Sequence, residues 1–146
     1  MHKQPSSTYG GAPLPQNYSG SSTQQLEEIN IVLYLVLCFF TFGLFYFVWQ
    51  YKQFKQCNVL LGEDHHGYAK WFILSLITFG LYHMYHEYKF SQDIIVLQEK
   101  YGLRVNGSEY PLLCLLISIF GFFLMVDFIH QDELNKIIRK HNELYR

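Results

Sequence analysis

The stretch Leu35–Gln53 reads LVLCFFTFGLFYFVWQYKQ, and Phe72–Phe90, 37 residues later, reads FILSLITFGLYHMYHEYKF. Seven of the nineteen paired positions are identical: Leu37 with Leu74, Thr41-Phe42-Gly43-Leu44 with Thr78-Phe79-Gly80-Leu81, and Tyr51-Lys52 with Tyr88-Lys89. A third apolar block, Leu112–Gln131, keeps a degenerate echo in Ser118-Ile119-Phe120-Gly121. The pattern marks a repeated, membrane-inserted unit, and nothing in it is visibly a catalytic motif.

Around these blocks the chain is strongly segregated. Apolar residues make up 50% of it and aromatics 18%, yet the mean hydropathy is close to zero, because three greasy blocks alternate with polar connectors. The first block, Ile29 to Trp49, is 21 residues without a charge, enough at about 1.5 Å per residue to cover a hydrocarbon layer of about 30 Å. The third, Pro111 to Val126, has 16 uncharged residues and reaches that length only with Asp127-Phe128-Ile129. The second is clean only from Trp71 to Tyr82, then meets His83, His86 and Glu87. The expected architecture is therefore an all-α polytopic membrane domain over 26–146, its apolar helices at about 29–51, 71–90 and 111–130. Amphipathic segments follow at 91–101, with Ile94, Leu97 and Tyr101 on one face, and at 132–144, with Leu134, Ile137, Ile138 and Leu144 aligned. Residues 1–25, rich in Ser, Gly, Pro and Gln, have little to bury and are expected to be a disordered tail without a secretory signal.

Trp49, Tyr51, Lys52, Trp71, Tyr88 and Lys89 are placed as interfacial anchors. Thr41, Gly43, Thr78, Gly80 and Gly121 suit close helix packing or a kink, since glycine lets another backbone approach and threonine can bond a carbonyl. Counting Lys and Arg by connector favours N-out, C-in. Consecutive spans are antiparallel, however, which would put the two Tyr-Lys ends on opposite faces. The alternative is that Gly43 and Gly80 break the helices and a block re-enters.

His83, His86 and Glu87 stand at i, i+3 and i+4, a spacing that can bring two imidazoles and a carboxylate to one metal or proton site, with His130 and Asp127 or Asp132 completing it. Asp127 is the best single functional candidate by membrane logic, because ionisable groups at depth are costly. His65-His66 beside Asp64 reads first as a solvated turn and second as a ligand pair. Cys38, Cys57 and Cys114 offer no disulfide framework, and a net charge of −1 gives no case for nucleic acid. No phosphate loop, nucleophile elbow or cofactor motif is present.

The unit resembles an uncharacterised family of small bacterial membrane proteins, a domain of unknown function, whose helix reads L-S-I-[IV]-T-[CF]-G-[IL]-Y-x-x-Y-W-x-Y-K. Leu74 to Tyr82 fit it, with Tyr85, Tyr88 and Lys89; Cys38 to Phe45, Trp49, Tyr51 and Lys52 fit nearly as well. Ile129 to Lys136 resemble the family's later Q-D-x-L-N stretch, so the resemblance covers about 29–141, and His83 and His86 depart from it. It implies a membrane location, in the bacterial inner membrane, and transfers no activity. The functional expectation is a non-enzymatic integral membrane protein without a cofactor that self-associates as a homo-oligomer, in a ring, pore or scaffold. The alternatives are a metal- or proton-handling protein centred on His83, His86 and Glu87, and an adaptor recruiting a protein partner through its tail or C-terminal helix.

Overall fold

The computed structural model describes residues 25–146, and the tail expected over 1–25 lies almost wholly outside them. Among the described residues there are six helices: α1 (Ile31–Phe40), α2 (Leu44–Leu61), α3 (Tyr68–Ile77), α4 (Leu81–Lys100), α5 (Tyr110–Ile119) and α6 (Phe123–Leu144). The all-α expectation holds, but the helix boundaries differ. Each apolar block is broken at its glycine, so three expected long helices become three hairpins, and the segments expected at 111–130 and 132–144 are redistributed into α5 and one continuous α6. Among the described residues no helix is long and apolar enough to cross a membrane. The polytopic reading is corrected accordingly: what looked like a 21-residue span is a 10-residue helix, a turn, and the start of a second helix.

The turns explain the break. The N–H of Gly43 bonds the carbonyl of Cys38 (2.8 Å) while that of Phe42 bonds Phe39 (3.2 Å), the paired pattern that closes a helix C-terminus. Gly80 to Ser75 (2.7 Å) and Phe79 to Leu76 (3.3 Å) repeat it. Both residues of each turn are left-handed: φ is 52° at Phe42 and 87° at Gly43, 51° at Phe79 and 90° at Gly80. Thr41 and Thr78 then staple the two arms. Thr41 Oγ1 donates to the carbonyl of Leu37 (2.7 Å) and accepts from the N–H of Phe45 (2.9 Å), and Thr78 does the same between Leu74 and Tyr82. Gly43, Gly80 and Gly121 have open space where a Cβ would stand, so they do not serve close helix packing as expected; they serve the turn. In the third hairpin the motif slides by one residue, with Gly121 in the position of Phe42 and Phe122 bonding Ile117 (3.2 Å).

Each hairpin folds back on itself. Tyr34 packs edge-on against Trp49, with ring centroids 6.0 Å apart, and takes a hydrogen bond from Lys52 (2.7 Å). Trp71 donates to His83 (3.2 Å), and Tyr110 packs on His130. Trp49 and Trp71 are thus each buried against the opposite arm of their hairpin and do not form an interfacial belt. The second arms α2, α4 and α6 form a parallel three-helix bundle: Tyr46 meets His83 and Phe123 near the turns, and Lys100 reaches Leu60 while Tyr101 meets His141 at the far end. All three turns therefore lie at one end. The far half has an apolar core of Phe54, Cys57, Leu60, Phe90, Ile94, Leu97, Leu134, Ile137 and Ile138, as the amphipathic stripes foretold; Leu144 is exposed instead. Before α1, Asn135 and Asn142 each grip the backbone of the entering strand, at Ile29 and Leu26, with a paired N–H and C=O bond.

Candidate functional site

Near the turns the interior of the bundle is polar. Asp127, on the second turn of α6, accepts from the Tyr46 hydroxyl (2.8 Å) and from Gln50 Nε2, and its carbonyl accepts from Gln53 (3.3 Å). With its O–H donated to Asp127, the Tyr46 oxygen accepts from Gln50 (3.0 Å) and from His83 Nε2–H (3.1 Å). His83 Nδ1 then accepts from the Trp71 indole, which assigns its tautomer and occupies both ring nitrogens. Tyr46 and His83 are equivalent positions of the repeat, so the two copies hydrogen-bond to one another at the point where they diverge.

Glu87 joins a second chain of groups. Its Oε2 lies 3.1 Å from His130 Nδ1 and its Oε1 3.5 Å from His83 Nδ1. Ser91 donates to the Glu87 carbonyl (2.8 Å), so His130 Nε2 donates to Ser91 (2.8 Å) and leaves Nδ1 as an acceptor. Burial pushes the Glu87 carboxyl up to about 8, so at neutral pH it holds a proton, and its Oε2 lies beside His130 Nδ1 without a hydrogen bond between them. Burial above all raises both Asp127 and Tyr46. His83 is lowered to about 4 by burial and then by His130.

Residues 66–134 match the family DUF4234, a domain of unknown function. The match is shorter than the 29–141 expected, leaving the first copy of the repeat outside it. Comparison with curated proteins and with solved structures yields no match.

The fold brings four of the five residues singled out as a metal or proton cluster to one place: His83, Glu87, Asp127 and His130. His83, Glu87 and Asp127 offer ligand atoms within 4.8 Å of one another, although a metal on His83 Nδ1, the nitrogen nearest Glu87, would displace the Trp71 hydrogen bond. His86 is the exception. One turn along α4 it faces away, toward Phe54 and His66, and burial followed by the charge of His66 lowers it. Asp132 is on the surface with Lys136. Tyr46, Gln50 and Ser91 were not anticipated; the only trace of them was that Gln50 and Glu87 are paired polar positions in otherwise apolar repeats.

The outer surface of the same half is the reverse. Phe42 and Phe79 are each 98% exposed and Phe120 76%, with Phe39, Phe40, Leu44, Leu76 and Leu81 also bare around the turns. On the second arms the first charges outside the interior are Lys52, Lys89 and Asp132, eight to nine residues past each turn. Tyr51, Lys52, Tyr88 and Lys89 fall at this common level.

Proposed function

We propose that the protein is a monotopic membrane protein whose three hairpin turns wedge into one leaflet and hold the far half of the bundle at the surface, without catalysis. The observation that supports this most is the phenylalanine at the left-handed position of two turns. A non-glycine residue there costs about 1 kcal/mol, and Phe42 and Phe79 recover nothing within the chain because their side chains touch almost nothing. Their use lies outside the molecule. An arm of ten residues rises about 15 Å, half of a hydrocarbon core of about 30 Å.

The turns are also chemically fit for lipid. Irregular backbone is excluded from hydrocarbon because bare N–H and C=O groups are costly there. Every N–H from Thr41 to Tyr46 and from Thr78 to Tyr82 has an acceptor, including Phe45 and Tyr82 through the threonine hydroxyls. Hairpins also resolve the orientation of the repeat, since both copies enter and leave on one side. Flotation of the purified chain with phosphatidylcholine vesicles tests the reading. The wild type is expected to float and the F42D/F79D/F120D variant to remain in solution as a folded protein. Equal flotation of the two contradicts the wedge. A lipid-free wild type that covers its turns by assembling into a closed oligomer and does not float favours the self-association expected from the sequence.

A further inference from the structure

We infer that His65, His66 and Asp93 form a binding site for a divalent transition-metal ion, zinc by its ligand chemistry, with His86 as the group that orients His66. The site is separate from the interior cluster and opens to water at the far side of the second hairpin. Gly62 ends α2 in a left-handed turn, and Asn58 then fastens the next loop: its Oδ1 accepts from the N–H of His66 (2.8 Å) and its Nδ2 donates to the His66 carbonyl (3.0 Å). That grip presents two adjacent imidazoles to the side of α4. One carboxylate oxygen, Asp93 Oδ2, meets both, at 2.8 Å from His65 Nδ1 and 2.9 Å from His66 Nε2.

Two nitrogens and a carboxylate oxygen are a common zinc donor set with a fourth position open. Bonds of about 2.0–2.1 Å at tetrahedral angles set ligand atoms about 3.3 Å apart, a few tenths of an ångström beyond the two nitrogen–oxygen separations here, so an ion fits after a small opening. His66 carries the supporting contact that metal-bound imidazoles use, its Nδ1 lying 3.1 Å from His86 Nε2. The His66 and His86 rings are buried against Phe54 and Phe90, which fixes their planes. His65 is the accessible edge, its side chain 43% exposed, and a cavity of about 200 Å³ that also touches Tyr82, Tyr85, Lys70 and Lys89 gives a water or anion room at the fourth position. Without an ion, His65 hydrogen-bonds Asp93 while the buried His66 Nε2 stands beside the same carboxylate with no hydrogen bond; metal titration tests whether an ion takes that place.

The experiment is titration of the full chain, stripped with a chelator in mild detergent, with Zn²⁺ alone by calorimetry, and with Co²⁺ alone by visible absorption. One Zn²⁺ per chain is expected, with the intense d–d band of tetrahedral Co²⁺. H65A, on the exposed loop, and D93N, which keeps the side-chain shape, are each expected to weaken binding at least tenfold and to remove the band, with unchanged helical circular dichroism. His86→Phe should weaken binding by roughly ten- to a hundredfold through the loss of the orienting contact. Failure of the wild type to bind Zn²⁺, or undiminished binding by both H65A and D93N, overturns the assignment. Binding that survives D93N but is lost in D127N also overturns it, by moving the ion to the interior cluster.

Discussion

In the half of the bundle beside the turns, Gln50, Glu87, Asp127 and His130 lie inside while Phe42, Phe79, Phe120 and Leu81 face outward. In the far half, Phe54, Ile94, Leu134 and Ile138 lie inside while Lys55, Glu99, Lys136 and Arg139 face outward. The same three helices run through both halves, so helix propensity does not account for the inversion. What differs is the medium each exterior is suited to. An apolar exterior of this extent in water is a large unpaid cost, because each exposed side chain of this size forgoes about 1.5–3 kcal/mol of burial. A polar interior inside a lipid-facing shell, by contrast, supplies directional bonds where apolar contacts between helices have no solvent to drive them.

Substitutions that act on one half and spare the other sharpen this contrast. The largest effect expected is from F42D/F79D/F120D. Loss of these three exposed phenylalanines weakens partition into vesicles on the order of a thousandfold, measured by flotation or by centrifugation against lipid concentration. Its thermal stability in detergent should be unchanged. In the far half the order reverses: Leu134→Ala opens a cavity in the apolar core and costs about 2–5 kcal/mol of stability by chemical denaturation, with partition of the folded fraction unaltered.

Thr41→Val is expected to cost about 1–3 kcal/mol, because it leaves the Phe45 N–H without its acceptor, and Thr41→Ser should restore most of it. The interior should also report on pH. Glu87 has its carboxyl raised from 4.5 to about 8 in the folded protein, so its contribution to stability is complete below pH 4.5 and is lost as pH rises toward about 8. His83 is lowered from 6.5 to about 4, so its contribution is complete above pH 6.5 and is lost as pH falls toward about 4. A melting temperature that peaks in mildly acidic solution, with an alkaline decline flattened in Glu87→Gln, is the expected record. The smallest effect is at the turn itself. Phe42→Gly should gain about 1 kcal/mol of fold stability by relieving the left-handed phenylalanine, while losing partition. A loss of stability there would show that Phe42 is held by contacts within the chain.

Much of this was legible in the residues, and the misreadings have physical causes. The repeat announces three equivalent units and the amphipathic stripes at 91–101 and 132–144 identify the far core. Hydropathy cannot separate one 21-residue span from two arms joined by a turn, because both are apolar throughout. The sign that separates them is a phenylalanine required to take positive φ, which composition does not reveal. The cluster of His83, Glu87, Asp127 and His130 was legible because ionisable residues in apolar blocks stand out. Tyr46 and Gln50 were not, since they reach the cluster from another helix, across the repeat. Trp49 and Trp71 misled because aromatic residues near a lysine read as a belt until the opposite arm of the hairpin covers them.

The most direct measurement is the depth and sidedness of the turns in a bilayer. Cysteine placed singly at Phe42, Phe79 or Phe120 can carry a spin label, the three native thiols being buried. Collision with oxygen and with a water-soluble nickel complex then gives depth in sealed vesicles bearing externally added protein. The account predicts all three labels deep within one leaflet, near the bilayer centre, and labels at Lys55, Glu99 and Lys136 all in the external water. Labels at the turns that meet the nickel complex, or far-half labels divided between the two sides of the bilayer, would contradict it.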